Sequence, residues 1–186
     1  MHDLHLPFSG RLRLAIVTGL VVAAAALSPV TATPSGLDGA RAATARFHSL
    51  AEAAAAGYGQ PPAPQPLHYC IDDQMGMGAM GFHYINGALL SNDEAGVVDA
   101  NRPEVLVYAP DKHGTLKLAA LEYVIFQADW QGSTPPTLFD QEFSLTLSPN
   151  RYEIPAFYSL HVWLWQDNPD PVHGIFAPMN ANVSCG

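Results

Sequence analysis

Residues 116–126 have the sequence LKLAALEYVIF, which is the longest strand-like segment of the chain. A shorter apolar run, VLVY at 105–108, precedes it. Between the two runs lies PDKHG at 110–114, a set of residues typical of a tight turn. The two runs and the turn together predict an antiparallel β-hairpin.

Three further segments have the composition or the two-residue alternation of strands, and they cover residues 80–85, 143–147 and 158–165. In the first of them, His83 and Ile85 share one face, whereas Phe82 and Tyr84 share the other. These segments predict that most of the chain after residue 70 forms an antiparallel sheet.

A helix is predicted ahead of the strands, because residues 40–56 are rich in alanine, the best helix former. Apolar residues recur at helical spacing on one face, at Phe47, Leu50, Ala51 and Ala54. Gly57 stands where a helix C-cap uses glycine, and the segment 60–66 holds four prolines that end the helix.

The fold class that follows is α+β, with an N-terminal helix packed on a curved antiparallel β-sheet that is barrel- or sandwich-like. We expect three parts. Residues 1–32 are a signal peptide, and residues 33–66 hold a flexible lead-in, the helix and a proline-rich linker. Residues 67–186 form a β-rich, disulfide-closed domain packed with the helix.

The N-terminus has the three features of an export signal in order. Arg11 and Arg13 are basic, residues 14–27 are apolar, and residues 30–32 are small, as a signal peptidase requires. The apolar run is shorter than the roughly 20 residues of a membrane span. The prediction is a secreted protein, periplasmic or extracellular, without membrane attachment after cleavage; an uncleaved anchor is the alternative.

The charge and the cysteines narrow the possible partners. The formal net charge is −9, which is the wrong sign for a protein that binds nucleic-acid phosphates. A small molecule or a metal ion is the expected partner. Cys70 and Cys185 are the two cysteines, and neither belongs to a CxxC pair. In an exported protein they predict one disulfide.

Glu122 is the most unusual residue of the long strand. Alternation places it on the face that carries Leu118, Ala120, Val124 and Phe126. A buried carboxylate must be paired, protonated or bound to something. If Ala109 stands opposite Thr115, Arg102 stands opposite Glu122, which predicts a structural ion pair. The alternatives are a metal ligand or general base, and simple exposure.

His83 and His161 each lie inside a predicted strand. Together with Glu122 they have the donor types of a 2-His-1-carboxylate metal site, although no local spacing brings them together. The alternative for each is a core histidine with one hydrogen bond. The binding candidates are therefore His83, Glu122, His161 and two tryptophans that share the His161 face, Trp163 and Trp165. No catalytic residue is assigned, and the cofactor is left open, with a divalent metal as the candidate.

Six stretches carry a family resemblance: MGFHYIN at 80–86, RPEVLVY at 102–108, LEYV at 121–124, SPNRY at 148–152, LHVWLW at 160–165 and NVSC at 182–185. They resemble a family of uncharacterised exported bacterial proteins. The resemblance covers most of residues 70–185 and implies no activity. It implies a core that begins near the helix at Ala40 and ends at Cys185.

Three functions follow from these residues. The first is a secreted domain that binds a small ligand or metal ion between helix and sheet, lined by His83, Glu122 and His161. The second is an extracytoplasmic hydrolase or isomerase with Glu122 or His161 as general base. The third is a structural or surface-interaction protein that contains the Arg102–Glu122 ion pair.

Overall fold

The computed structural model describes residues 36–73, 75–91 and 94–186. The predicted signal peptide, residues 1–32, lies outside these ranges. Within them, no helix has both the length and the apolar character that a bilayer crossing requires. The expected α+β class is confirmed, because short helices accompany a strongly curled antiparallel sheet in the form of a half-barrel.

The described part of the chain contains eight strands in two sheets. The six-stranded sheet has the order β1-β2-β3-β4-β8-β7, and β5 pairs with β6 separately. Their bounds are β1 Ile71–Asp72, β2 Ala79–Ile85, β3 Val105–Pro110, β4 Leu116–Phe126, β5 Thr137–Leu138, β6 Gln141–Glu142, β7 Ser144–Thr146 and β8 Phe157–Val162. The predicted hairpin is the pair β3–β4, and β4 has the predicted bounds.

Two predicted strands are shorter than expected. Strand β8 ends at Val162, because the chain bends there: the Leu164 amide donates to the Val162 carbonyl and the Trp165 amide donates to the Ala119 carbonyl. In the segment 143–147 only β7 is a strand, and its neighbour Phe143 is buried whereas Leu145 and Leu147 are exposed.

The helical region consists of two helices, α1 (Leu37–Thr44) and α2 (Leu50–Ala55), with a 3₁₀ turn at Ala45–His48. The single predicted helix is wrong because Ser49 has an extended backbone, and its hydroxyl accepts a hydrogen bond from the Glu52 amide. This is the geometry of an N-cap, at which a new helix begins.

The break at Ser49 also changes which residues of the helices are buried. Phe47 is buried as predicted, but Leu50 and its predicted partners Ala51 and Ala54 are exposed. Ala40 and Ala53 face the sheet in their place. Gly57 follows α2 with a φ of 93°, the left-handed conformation expected after a helix.

The helices pack on one face of the large sheet, where Leu106, Tyr108 and Leu121 belong to the same apolar cluster as Phe47. Two tyrosine hydroxyls support this contact. The Tyr108 hydroxyl donates to the Phe47 carbonyl, which lies in the 3₁₀ turn. The Tyr58 hydroxyl donates to the Pro103 carbonyl just before β3.

A β-bulge interrupts the β3–β4 pairing. Tyr108 stands opposite Leu118 and Val107 stands opposite Ala120, so Ala119 is an extra residue in β4. One extra residue reverses the alternation of the side chains that follow it. Leu118 therefore packs in the helix-side cluster, whereas Ala120 and Val124 belong to the cluster on the other face. The expectation that Leu118 and Glu122 share one face of the sheet is therefore wrong.

The predicted disulfide is present and joins Cys70 to Cys185, which are 115 positions apart. In the chain-entropy description, closing a loop of this size stabilises the fold by ~4–5 kcal/mol. The disulfide holds the C-terminal segment beside β1. The backbones of Ala79 and Asn180 also bond to each other in both directions, so this segment is attached to β2 as well.

Tyr108→Phe tests the attachment of the 3₁₀ turn to the sheet. The change leaves the buried Phe47 carbonyl without its donor, so we expect a loss of about 1–3 kcal/mol in the free energy of unfolding, measured by urea denaturation. Tyr69→Phe, at a half-exposed position, is the control and should change stability by less than about 0.5 kcal/mol. Equal effects of the two changes would contradict this role of the Tyr108 hydroxyl.

Candidate metal centre

His83, Glu122 and His161 lie on β2, β4 and β8, on the face of the sheet opposite to the helices. Glu122 stands directly between Val105 of β3 and His161 of β8 in the cross-strand register. Val105 belongs to the apolar cluster of that face. The expectation of a site between helix and sheet is therefore wrong: the site occupies the other face.

The curl of the sheet brings these side chains together. His83 and His161 lie three strands apart, on β2 and β8, with β3 and β4 between them. In a flat sheet this spacing separates the backbones by about 14 Å. The centres of the two imidazole rings are only 5.9 Å apart, so the sheet curves toward this face and directs their side chains to one point.

Glu122 lies between the two imidazoles. His83 Nε2 is 3.4 Å from Glu122 Oε2, and His161 Nδ1 is 3.6 Å from Glu122 Oε1. Each residue offers a ligand atom such that all three atoms lie within 4.8 Å of one another. All three residues are buried, with exposed fractions of 3%, 6% and 4% for His83, Glu122 and His161.

Burial determines the charge of this group. It raises the pKa of Glu122 to about 8, against the opposing effect of a hydrogen bond from Ser159. It lowers the pKa of His83 to about 4 and that of His161 to about 3. Near neutral pH the metal-free group therefore holds a protonated carboxyl and two neutral imidazoles. Neutral imidazole is the form that binds a metal, and a metal would displace the carboxyl proton.

Two ring nitrogens of the site are buried without a hydrogen-bond partner among the described residues. They are His83 Nδ1 and His161 Nε2, the nitrogens not directed at Glu122. Buried polar atoms are nearly always partnered in folded proteins. An ion held beside Glu122 would be bound by the other nitrogen of each ring, so these two atoms do not decide between a metal site and two core histidines.

The two tryptophans among the binding candidates have other places. Trp163 is in the core beside His161, with ring centres 6.3 Å apart, and its indole nitrogen donates to the Ala177 carbonyl. Trp165 packs on the helix side, against His48 and Arg41. Neither tryptophan lines the cavity at the site. Trp165 leaves the His161 face because β8 ends before it.

A cavity of about 510 Å³ lies against the three residues. Most of its walls are apolar, formed by side chains that include Leu67, Met80, Ile85, Val105, Val124 and Phe157. Glu142, Ser144 and His173 also line it and are exposed to solvent, so they mark its opening. The His83–Glu122–His161 group is thus the most deeply buried polar patch of a mostly apolar cavity.

The predicted ion pair between Arg102 and Glu122 is wrong. Arg102 Nη1 lies 3.1 Å from Glu94 Oε2, and both side chains are about half exposed. The hairpin register explains the difference, because Ala109 stands opposite Lys117 rather than Thr115 and the bulge at Ala119 adds a further shift. Glu122 therefore has no arginine opposite it.

Three residues near the site were missed by the sequence analysis. Ser159 stands opposite Val124 and lines the cavity; its position two residues before His161 places it on the same face. Tyr152 also lines the cavity, and its hydroxyl donates to the Met80 thioether at 3.7 Å. No pattern in the sequence identifies Tyr152, because it lies in an irregular loop.

Glu104 is the third missed residue and has a structural role. It is buried, and its Oε2 accepts a hydrogen bond from the Val124 amide at 2.9 Å. Burial raises the pKa of Glu104 to about 7. The sequence signal was an acid placed between Pro103 and the apolar run of β3, at a position where burial follows from the neighbouring core residues.

In comparisons with known proteins, no family model matches this chain, and no curated protein and no solved structure is significantly similar to it. The geometry of the site is therefore the basis for the function inferred below.

Glu104→Gln tests the cost of ionising this buried carboxyl. The folded-state pKa of Glu104, about 7, lies above the ordinary 4.5. The protonated carboxyl therefore stabilises the fold fully below pH 4.5, and this stabilisation is lost as the pH rises through 7. Glutamine still accepts the Val124 hydrogen bond and cannot ionise. We expect the variant to gain up to about 3 kcal/mol over the native chain at pH 8.5, and little at pH 4.5.

The measurement is the free energy of unfolding of metal-free protein at both pH values. The exposed Glu153 provides the control, since Glu153→Gln should leave the difference between the two pH values as it is in the native chain. Identical pH dependence in Glu104→Gln and the native chain would show that Glu104 keeps its ordinary pKa.

Proposed function

We propose that this chain is an exported binding domain that holds one divalent transition-metal ion through His83, Glu122 and His161. The observation that carries the proposal is the convergence of three buried donor side chains from three strands on one point, with their ligand atoms within 4.8 Å of one another. Donors about 2.1 Å from one ion at tetrahedral angles lie about 3.4 Å apart. The separations of 3.4 Å to Oε2 and 3.6 Å to Oε1 are close to this value, each at a different oxygen of Glu122.

The donor types favour one class of ion. Two imidazoles and one carboxylate suit zinc, iron or another first-row divalent metal better than calcium or magnesium, which prefer oxygen donors alone. Both cysteines form the disulfide, so no thiolate is available. Three protein donors also leave coordination positions open, as in sites that accept a further ligand.

Export is part of the proposal. The basic and apolar segments of the N-terminus support it, and so does the disulfide, which belongs to proteins that fold in an oxidising compartment. A secreted or periplasmic location would expose the site to extracytoplasmic metal ions and small molecules.

Metal content is the direct test. Untagged protein exported to a bacterial periplasm should carry about one zinc or other transition-metal ion per chain by mass spectrometry. The His83→Ala/His161→Ala variant should lose this ion. The control is His48→Ala/His113→Ala, which removes two exposed histidines and should leave the metal content unchanged. Native protein without metal, or a double variant of His83 and His161 that keeps it, would contradict the proposal.

A second candidate is an extracytoplasmic hydrolase or isomerase with Glu122 as its general acid or base. The observation that favours it is the raised pKa of Glu122, about 8, beside His83 Nε2 at 3.4 Å and next to a cavity. A carboxyl that changes its protonation near neutral pH suits proton transfer. The structural alternative is not proposed, because its Arg102–Glu122 pair does not form.

Infrared spectroscopy of the metal-free protein tests the second candidate. The difference spectrum between proteins without and with Glu122→Gln should contain the band of a protonated carboxyl at pH 6.5, because burial raises the pKa of Glu122 to about 8. The band should disappear as pH rises above 8. Both proteins carry Glu104→Gln, because Glu104 is the other buried carboxyl of this region and its charge acts on Glu122. A carboxylate band at pH 6.5 would exclude a protonated Glu122 and with it this form of the acid–base function.

A further inference from the structure

The cavity beside the three donors has the size and the walls of a small-molecule site. Its volume of about 510 Å³ lies within the range of about 300–1,000 Å³ that is usual for such sites. Leucine, isoleucine, valine and phenylalanine side chains form most of its surface, among them Leu67, Ile85, Val124 and Phe157. Its preferred occupant therefore has an apolar body.

The polar groups of the cavity differ in depth, and half-buried ones such as Tyr152 and Ser159 lie between the deep and the exposed ones. The deeply buried ones are His83, Glu122 and His161, and the exposed ones lie at the opening. This arrangement fits a small molecule that has an apolar body and one polar head, with the head in contact with the three donors. The Tyr152 hydroxyl lines the same cavity and donates only to a thioether, a weak acceptor, so its proton can be given to that head.

The charge of the lining decides which kind of head binds. Among the described residues that line the cavity, none is a lysine or an arginine. An anionic oxygen in the metal-free cavity would have no cation of the lining beside it, which is unfavourable in an apolar setting. A divalent ion held by one carboxylate and two neutral imidazoles leaves one positive charge for an anionic ligand to balance.

We propose that the cavity binds an apolar carboxylic acid whose carboxylate completes the coordination of the metal ion held by His83, Glu122 and His161. This inference rests on the proposed metal function and adds the class of its ligand. The apolar body lies against the walls, and the metal ion supplies the positive charge that the lining lacks. Binding of the acid therefore requires the metal, whereas binding of an uncharged analogue does not.

Octanoate and 1-octanol are the probes, because they share an apolar chain and differ in the head group. Each is titrated by calorimetry into zinc-loaded protein and into protein dialysed against a chelator. We expect octanoate to bind the zinc-loaded form at least ~10-fold more tightly than the metal-free form. The affinity for octanol should differ little between the two forms.

A matched pair of variants locates the bound molecule. Ile154 lines the cavity from a loop and has no metal-binding atom in its side chain, so Ile154→Trp should fill the cavity, keep zinc and abolish octanoate binding. Leu147 is exposed and does not line the cavity, so Leu147→Trp should keep both.

The outcomes separate this inference from the metal function. Three results overturn the ligand assignment alone, provided that the native chain holds about one zinc ion. They are no octanoate binding, octanoate binding with equal affinity in the zinc-loaded and metal-free forms, and octanoate binding that survives Ile154→Trp. Failure of the native chain to hold zinc overturns both the metal function and this inference. Zinc-dependent octanoate binding that Ile154→Trp abolishes and Leu147→Trp preserves supports both.

Discussion

The bulge at Ala119 in β4 is the constraint on which the rest of the structure depends. Ahead of it Leu118 faces the helices, and beyond it Leu121, Tyr123 and Ile125 do so. The residues between these face the other side of the sheet, where Glu122 and Val124 line the cavity. Without the extra residue, Glu122 would point into the apolar cluster beneath α1 and α2, where no histidine stands opposite it. One residue in the central strand thus determines on which face of the sheet Glu122 lies.

Burial gives the two carboxyls of this region different roles. Glu104 accepts the Val124 amide, so its burial is compensated by a backbone hydrogen bond that extends the β3–β4 contact. Glu122 has neither an arginine nor a backbone donor in the described structure, and its neighbours are imidazoles with unpartnered nitrogens. Such an arrangement is costly for stability alone. It is the kind of polar cluster that proteins keep at functional sites.

The sequence patterns predicted the elements better than their ends and pairings. Alternation placed His83 on the strand face opposite to that of Phe82 and Tyr84, and composition identified β4 with its bounds. Alternation and composition both depend on neighbours along the chain. The helix was predicted without its break, although Ser49 and Glu52 have the S-x-x-E spacing at which a new helix begins. The hairpin register was wrong because small differences in turn length shift every cross-strand pair that follows.

By itself, the sequence determined the α+β class, the strand faces of His83 and His161, the disulfide and the anomaly of an acid within an apolar strand. Each of these depends on local periodicity, composition or the chemistry of cysteine. Only the tertiary structure decided that Arg102 pairs with Glu94, that Trp165 lies on the helix side, and that the three donors meet. Their meeting requires the bulge in β4 and the curl across β2, β3, β4 and β8. Both arise from the packing of many residues distant in sequence, which no local pattern records.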